Sequence, residues 1–241
     1  MDVNERRHYE KMMRDLGFPA YATRALDQMY QRPDEDYQLR CKTLGIAFPR
    51  DASEIDLTLR FFPLSNGAGF LANSYKASIY HRPSRSVRAY TFPIVHHGTT
   101  KVDEAFALLD GRWVQQYGRG EDVPWRRHWE RFDFRVRDEK GQYRRVLCDD
   151  YDLTGAMSQL PFAKELSDGH VKELCEQLQM GEVPEVMLKN GRQVYLLANP
   201  PGKEVLLSNS EGKILNPENL RPRHSIYNVF RSLRRKRGKG F

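Results

Sequence analysis

The sequence has no long apolar run, and this absence bears on the cellular location of the protein. No stretch of its 241 residues approaches the roughly 18 consecutive apolar residues of a membrane-spanning helix. Its first residues also lack the apolar segment of a secretion signal. We therefore expect a cytoplasmic protein without a membrane partner, and we leave its oligomeric state open.

Cysteine is also scarce. The chain has three cysteines, Cys41, Cys148 and Cys175, and their odd number and wide spacing argue against a disulfide framework and a zinc knuckle. Cys175 stands among apolar helical positions, where a thiol packs as a small hydrophobic group. No metal site built on cysteine is expected.

The common catalytic and cofactor motifs are missing as well. The sequence contains no glycine-rich phosphate loop and no HExxH, CxxC or GxSxG motif. His96 and His97 are adjacent, and neighbours in an extended segment point to opposite faces, so they cannot easily bind one metal. His81 or His128 could join one of them in a metal site in the folded chain, but nothing in the spacing of the histidines requires it. We expect no catalytic residue, metal or cofactor, and a protein that is not an enzyme.

The acidic cluster at 149–152 has two interpretations. Paired carboxylates bind Mg²⁺ or perform acid–base chemistry. Asp152, however, precedes a helical pattern and suits the N-cap, while Asp149 and Asp150 add favourable charge at the helix start. We favour capping, because it accounts for all three positions without a ligand.

Acidic residues are absent from residues 221–241, which contain eight arginines and lysines. The net charge of the chain is +7, so residues 1–220 together carry −1. The pI of about 9.3 is therefore a property of one end of the chain and not of its body.

This basic end contains two patterns. Four apolar residues recur at helical spacing and predict a short amphipathic helix over 224–235, which docks on the body or folds on a partner. The polycation beyond it suits phosphate backbones, which attract such segments through counterion release. The residues predicted here to bind nucleic acid, DNA or RNA without sequence preference, are Arg231, Arg234, Arg235, Lys236, Arg237 and Lys239. An acidic protein partner and an inert solvated end are the alternatives.

Aromatic residues and arginines are mixed in two segments, 111–114 and 125–131. Such mixtures suit stacking on bases with phosphate contacts, or a protein interface. Alternatively, the tryptophans belong to the core and the arginines form a solvated rim. We predict nucleic-acid contacts from Arg126 and Arg127. The predicted interaction residues are Trp113, Trp125, Trp129, Arg112, Phe230 and Leu233.

Hydrophobic periodicity predicts an α+β fold with helices on an antiparallel sheet or meander. Helical spacing indicates helices over 4–16 and 20–31, and we interpret 34–53 as a loop or an irregular extended segment. Apolar residues then alternate over 54–61, which is typical of a half-buried strand. Two more strands are predicted, 75–79 and 86–94.

The second half of the chain predicts two helix–hairpin units, each a helix ended by glycine and two strands joined by a turn. We favour chance recurrence of a common unit over two related modules. The predicted elements are a helix over 101–110 with strands 132–136 and 142–148, a short helix from Leu153, and a helix capped by Ser167 or Asp168 with strands 185–189 and 192–198. The predicted organisation is 1–98, 99–160, 161–220 and a basic tail at 221–241.

Residues 104–114 resemble a motif of the form EA-aromatic-x-LL-x-GR-x-V. Further similar segments follow in order at 129–134, 151–153, 160–166 and 198–203. Together they resemble a domain family of unknown function that is carried on conjugative transposons of Bacteroidetes bacteria. The resemblance implies a setting in mobile-element biology and no particular reaction.

Two functional hypotheses follow. The first is a non-enzymatic accessory protein of a mobile genetic element, whose basic tail binds nucleic acid without sequence preference while the body docks or positions a partner. The second is a protein–protein interaction module with no role in nucleic-acid binding.

Overall fold

A computed structural model shows an α+β protein whose chain divides into two compact units. The first unit comprises Met1–Gly45, Ser53–Asp110 and Arg137–Tyr143, and the second comprises the remaining residues. The residues that the structure describes are 3–31, 36–46, 52–65, 69–82, 84–95, 98–117, 126–139, 141–188, 191–217, 220 and 226–230. Within these ranges, no helix is long and apolar enough to cross a lipid bilayer.

Two helical segments begin the first unit, as the periodicity predicts. Helix α1 (Val3–Leu16) buries Tyr9 and Met13 on one face. It ends at Gly17, whose φ of 91° is the left-handed conformation that glycine adopts without strain. A 3₁₀-helix (Ala20–Ala25) then leads directly into α2 (Leu26–Tyr30).

The sheet of the first unit has five strands in the order β1-β2-β4-β5, with β3 also paired to β2. The alternation over 54–61 is confirmed: Ile55, Leu57, Leu59 and Phe61 are all buried in β2. The strands are β1 (Tyr37–Ile46), β2 (Ala52–Pro63), β3 (Phe70–Leu71), β4 (Ser74–His81) and β5 (Ser86–Pro93).

The interpretation of 34–53 as a loop or irregular extended segment was wrong, because half of it, Tyr37–Ile46, forms β1. Leu39, Cys41 and Gly45 are buried on one face of this strand, while the residues between them are exposed or half-buried. The alternation is therefore real, but glycine and cysteine occupy inward positions where strong strand signals have large aliphatic residues.

Helix α3 (Val102–Asp110) completes the first unit by packing on β4 and β5. Glu104 lies in the first turn of α3, and its Oε2 accepts a hydrogen bond from the N–H of Lys101 at 2.8 Å. The Oγ1 of Thr99, before the helix, donates to the carbonyl of Val95 at 2.7 Å. Because α3 belongs to the first unit, the division of the chain does not coincide with the predicted boundary at residue 98.

The second unit contains most of a three-stranded sheet and the whole of a five-stranded one. The three-stranded sheet has the order β6-β7-β8, and the five-stranded sheet has the order β12-β11-β10-β9-β13. The first consists of β6 (Val114–Tyr117), β7 (Arg127–Arg137) and β8 (Tyr143–Cys148); the second consists of β9 (Glu185–Leu188), β10 (Gln193–Asn199), β11 (Glu204–Ser208), β12 (Ile214–Leu215) and β13 (Ile226–Phe230).

Two helices of the second unit are capped as predicted. Asp152 precedes α4 (Leu153–Ser158), and its carboxylate accepts from the N–H of Gly155 at 3.0 Å. Ser167 precedes α5 (Asp168–Gln179) and accepts from a backbone N–H in the same way. The capping interpretation of Asp152 is therefore confirmed, and this carboxylate is used in the fold.

The prediction of a helix over 224–235 was wrong for the part that the structure describes. Ile226–Phe230 form β13, which pairs antiparallel with β9 through Val229 opposite Val186 and Phe230 opposite Glu185. The apolar spacing is compatible with a helix, but β-branched and aromatic residues favour a strand where a partner edge is present. The edge of β9 supplies that partner.

Candidate functional site

The structure brings the two segments that mix arginine and aromatic residues side by side. β6 and β7 pair antiparallel, with Gln115 opposite Trp129 and Tyr117 opposite Arg127. Alternate side chains of paired strands share one face. Gln115 and Trp129 are therefore cross-strand neighbours on one face, as are Tyr117 and Arg127. Next to them, Arg131 stacks over Trp113. We call these six residues the arginine–aromatic ladder.

Two guanidinium groups of the ladder stack on aromatic rings. The Cζ of Arg131 lies 4.9 Å from the ring centroid of Trp113. The Cζ of Arg127 lies 5.2 Å from the ring centroid of Tyr117, and its Nε and Nη2 donate to the Tyr117 hydroxyl at 3.0 and 2.9 Å. Each stack contributes about 0.5–1 kcal/mol at an exposed site and restricts the arginine to few rotamers.

The neighbouring arginines are neutralised by carboxylates. Arg135 and Arg144 both contact Asp133, at 3.0 and 3.2 Å. Arg145 likewise lies 3.2 Å from the buried Glu130.

Arg126 also has a carboxylate partner, Asp149, at 3.3 Å. Among the residues that the structure describes, neither Arg127 nor Arg131 forms an ion pair, although both are exposed. The ladder therefore carries two positive charges that its own strands leave uncompensated.

The two described tryptophans of these segments are buried. Trp113 is 6% exposed and Trp129 is 1% exposed, and the Trp129 ring packs edge-on against Tyr151 at 5.2 Å. Both belong to the hydrophobic core of the second unit, together with residues of α4 and α5. This placement matches the alternative in which the tryptophans are core and the arginines lie at the rim.

The other predicted interaction residues are placed as follows. Nη1 of Arg112 donates to the carbonyl of Gly181, which connects the start of β6 to the end of α5. Phe230 is described only as part of the backbone of β13. Trp125, Leu233 and the predicted tail residues Arg231, Arg234, Arg235, Lys236, Arg237 and Lys239 lie outside the described residues.

The sequence prediction did not include Tyr117 or Arg131, although both belong to the ladder. Arg131 lies within the predicted mixed segment 125–131. The composition of that segment does not show which of its residues, such as Arg131 or Trp129, are exposed. Tyr117 is two residues after Gln115 and four after Trp113, so the alternation of β6 was a usable signal. The facing of Tyr117 and Arg127 depends on strand register, which spacing alone does not reveal.

The histidines do not form one described site. In the first unit, Nε2 of His81 lies 4.0 Å from Asp110; in the second, Nε2 of His128 lies 3.5 Å from Glu130. His96 and His97 lie outside the described residues. Across the described ranges, no group of three or more histidine, cysteine and acidic side chains is placed to hold a metal ion.

The pairing of Asp133 with Arg135 and Arg144 can be tested through the pH dependence of stability. Its carboxylate accepts from the side chain and the backbone N–H of Arg135, and together with the nearby charge of Arg144 this lowers its pKa from 3.8 to about 2. The folded state thus binds the Asp133 proton less readily than the unfolded chain. The stabilisation by Asp133 is complete above the unfolded pKa and is lost as the pH falls from about 4 towards 2.

We expect the urea unfolding midpoint of the wild type to fall over this pH range, and Asp133→Asn to remove part of that fall. Glu139→Gln, in the exposed hairpin turn, is the control for a general effect of losing one carboxylate. Identical pH profiles for the wild type and Asp133→Asn would contradict the assigned interaction.

Comparison with known proteins assigns no function. No protein-family model, curated protein or solved structure matches the chain. The function is therefore inferred from the geometry and charge of the ladder.

Proposed function

We propose that this chain is a non-enzymatic, nucleic-acid-associated accessory protein of a mobile genetic element. The observation that carries the nucleic-acid part is the pair of exposed guanidinium groups, Arg127 and Arg131, which stack on rings and have no described carboxylate partner. The mobile-element part depends on the resemblance of residues 104–114 and the segments that follow them.

Stacked arginines are suited to phosphate. Guanidinium groups bind phosphate oxygens through paired N–H donors and are more weakly hydrated than ammonium groups. The stack on Trp113 or Tyr117 holds the arginine in place before the ligand arrives, which reduces the entropy lost on binding. An ion pair with a neighbouring carboxylate would compete with phosphate, and Arg127 and Arg131 have none among the described residues.

The basic tail adds a second, sequence-independent attachment in this proposal. Residues 231–241 contain six cations and no acidic residue. About four to six phosphate contacts from this segment give a steep fall in affinity with salt, since each contact adds about 0.9 to the slope of log K against log salt.

The test of the ladder is the double variant Arg127→Ala/Arg131→Ala. We expect it to weaken binding to DNA of mixed sequence and to reduce the salt slope by about 2, because two phosphate contacts are lost. Fluorescence anisotropy across a salt series measures both quantities. Arg60→Ala is the matched control, because Arg60 is an exposed strand arginine in β2 of the first unit.

A variant ending at Phe230 tests the tail separately, because it keeps β13 in the sheet. Unchanged affinity and slope in both the ladder variant and this shortened chain would refute the nucleic-acid function.

A protein-interaction module is the second candidate, and one observation favours it. Tyr80 and Val87 are directly opposite each other in the β4–β5 hairpin, and they are 54% and 64% exposed. Such an exposed apolar pair suits a docking contact of the body. This candidate is favoured if the chain captures one protein in stoichiometric amount and the complex survives nuclease treatment. The capture should be lost in the double variant Tyr80→Ser/Val87→Ser.

A further inference from the structure

The aromatic rings of the arginine–aromatic ladder are largely covered. Trp129 is 1% exposed and lies within the core. Trp113 is 6% exposed, and Arg131 stacks over its ring. Tyr117 alone among the three is substantially exposed, at 48%, and Arg127 stacks over one of its faces. The surface of the ladder therefore presents guanidinium groups in place of open rings.

Proteins that bind single-stranded nucleic acid without sequence preference depend on open rings. In those proteins successive bases stack on exposed aromatic side chains, and a basic groove follows the backbone. The ladder has no row of such platforms, because Trp113 and Trp129 are both buried. Within the ladder, stacking contacts with bases are thus confined to the ring of Tyr117.

We infer that the ladder binds the phosphate backbone of a nucleic-acid duplex and does not stack on the bases of a single strand. This inference rests on the proposed nucleic-acid function and specifies its substrate class. The bases of a duplex are already stacked on one another, so a duplex loses nothing when the protein offers no aromatic platform.

The charge spacing of the ladder supports the same assignment. Arg127 and Arg131 are four residues apart on one strand, which places their Cα atoms about 13 Å apart at a rise of about 3.3 Å per residue. Duplex DNA carries one negative charge per about 1.7 Å of axis, a higher density than one strand supplies. Where binding depends on phosphate alone, the polyanion of higher charge density binds more tightly.

The experiment compares three probes of about 20 nucleotides with the full-length chain: a DNA duplex, a single strand, and a single strand of the same length with abasic sites throughout. We expect the duplex to bind most tightly. The single strand and its abasic counterpart should agree within about twofold, because no base stacks on the ladder. Arg127→Ala/Arg131→Ala should lose affinity for the duplex by about tenfold or more at low salt.

Tyr117→Ala separates the two modes of binding. We expect it to weaken all three probes by similar factors, since it removes only the support of Arg127. A base-containing single strand that binds several-fold more tightly than its abasic counterpart, with that advantage lost in Tyr117→Ala, would overturn the duplex assignment and leave the proposed function standing. If the wild type binds none of the probes, or the arginine double variant binds them all as the wild type does, the role of the ladder in nucleic-acid binding is itself refuted.

Discussion

Trp129→Ala is expected to lower the free energy of unfolding by about 3–5 kcal/mol. Trp129 is 1% exposed and packs edge-on against Tyr151 in the core of the second unit. Removal of the indole leaves a cavity that the surrounding strands and helices cannot fill without moving. Urea unfolding of the purified chain measures the change.

Trp129→Phe is the matched control, because it retains an aromatic ring. The indole Nε1 of Trp129 is buried and has no hydrogen-bond partner among the described residues. Phenylalanine removes this unsatisfied donor, which offsets part of the lost contact area, so we expect the Phe variant to lose less than half as much stability as the Ala variant. Equal losses of stability in the two variants would show that an aromatic ring at position 129 stabilises the fold no more than alanine does.

The Phe variant also separates stability from binding. Arg127 and Arg131 keep their stacking partners Tyr117 and Trp113 when Trp129 becomes phenylalanine. Its affinity for a DNA duplex should therefore match that of the wild type. A loss of affinity in a variant that remains folded would mean that Trp129 contributes more than support to the ladder.

Gly45→Ala is the second substitution with a large expected effect, a loss of about 1–3 kcal/mol or more. A Cβ added at Gly45 in β1 would lie 2.5 and 2.6 Å from ring atoms Cδ2 and Cδ1 of Phe106. Phe106 is 4% exposed on α3, so its ring cannot turn away into solvent. The methyl group must displace either the ring or the strand.

A double-mutant cycle with Phe106→Ala identifies the cause. Phe106→Ala alone is expected to cost about 3–5 kcal/mol, but Gly45→Ala in that background should be neutral or stabilising by about 0.4–1 kcal/mol, since alanine restricts the unfolded chain. The coupling between the two sites should exceed about 1 kcal/mol. Additive losses would indicate that the backbone of β1, and not the Phe106 ring, rejects a side chain at residue 45.

Elements defined by local patterns were predictable from the sequence. The alternation over 54–61 identifies β2, and the Asn190–Gly191 pair identifies the β9–β10 hairpin, because both signals depend on residues close in the chain. The cap by Asp152 is local in the same way. In each case the residue types, their spacing and the final contacts lie within a few positions of one another.

Elements defined by distant partners were not predictable in the same way. β1 has glycine and cysteine at inward positions, and it is a strand because it pairs with β2 and receives the Phe106 ring against Gly45. β13 has a spacing that also fits a helix, and the edge of β9 decides between the two. Sequence periodicity describes one segment at a time, whereas these outcomes depend on the surface that the segment meets.

The candidate site is an intermediate case. Both of its segments stand out in the sequence for their arginines and aromatic residues, which is why Arg127, Trp113 and Trp129 were among the predicted residues. Burial of the tryptophans and the stacking of Arg131 follow from the register of β6 on β7. A shift of that register by one residue would place the arginines on the other face, so composition alone does not define the ladder.

The pairing of β13 with β9 also determines how the two proposed attachments cooperate. Phe230 lies opposite Glu185, so the chain that follows it starts from a fixed point on the same unit as the ladder. Arg234 is four residues further on, within about 14 Å of chain length. In the proposed function, a polyanion bound at the ladder would therefore offer the basic segment further phosphates at a raised effective concentration, which is of millimolar order for a short tether. Moving the same cations onto a long flexible linker would lower this avidity without removing a single charge.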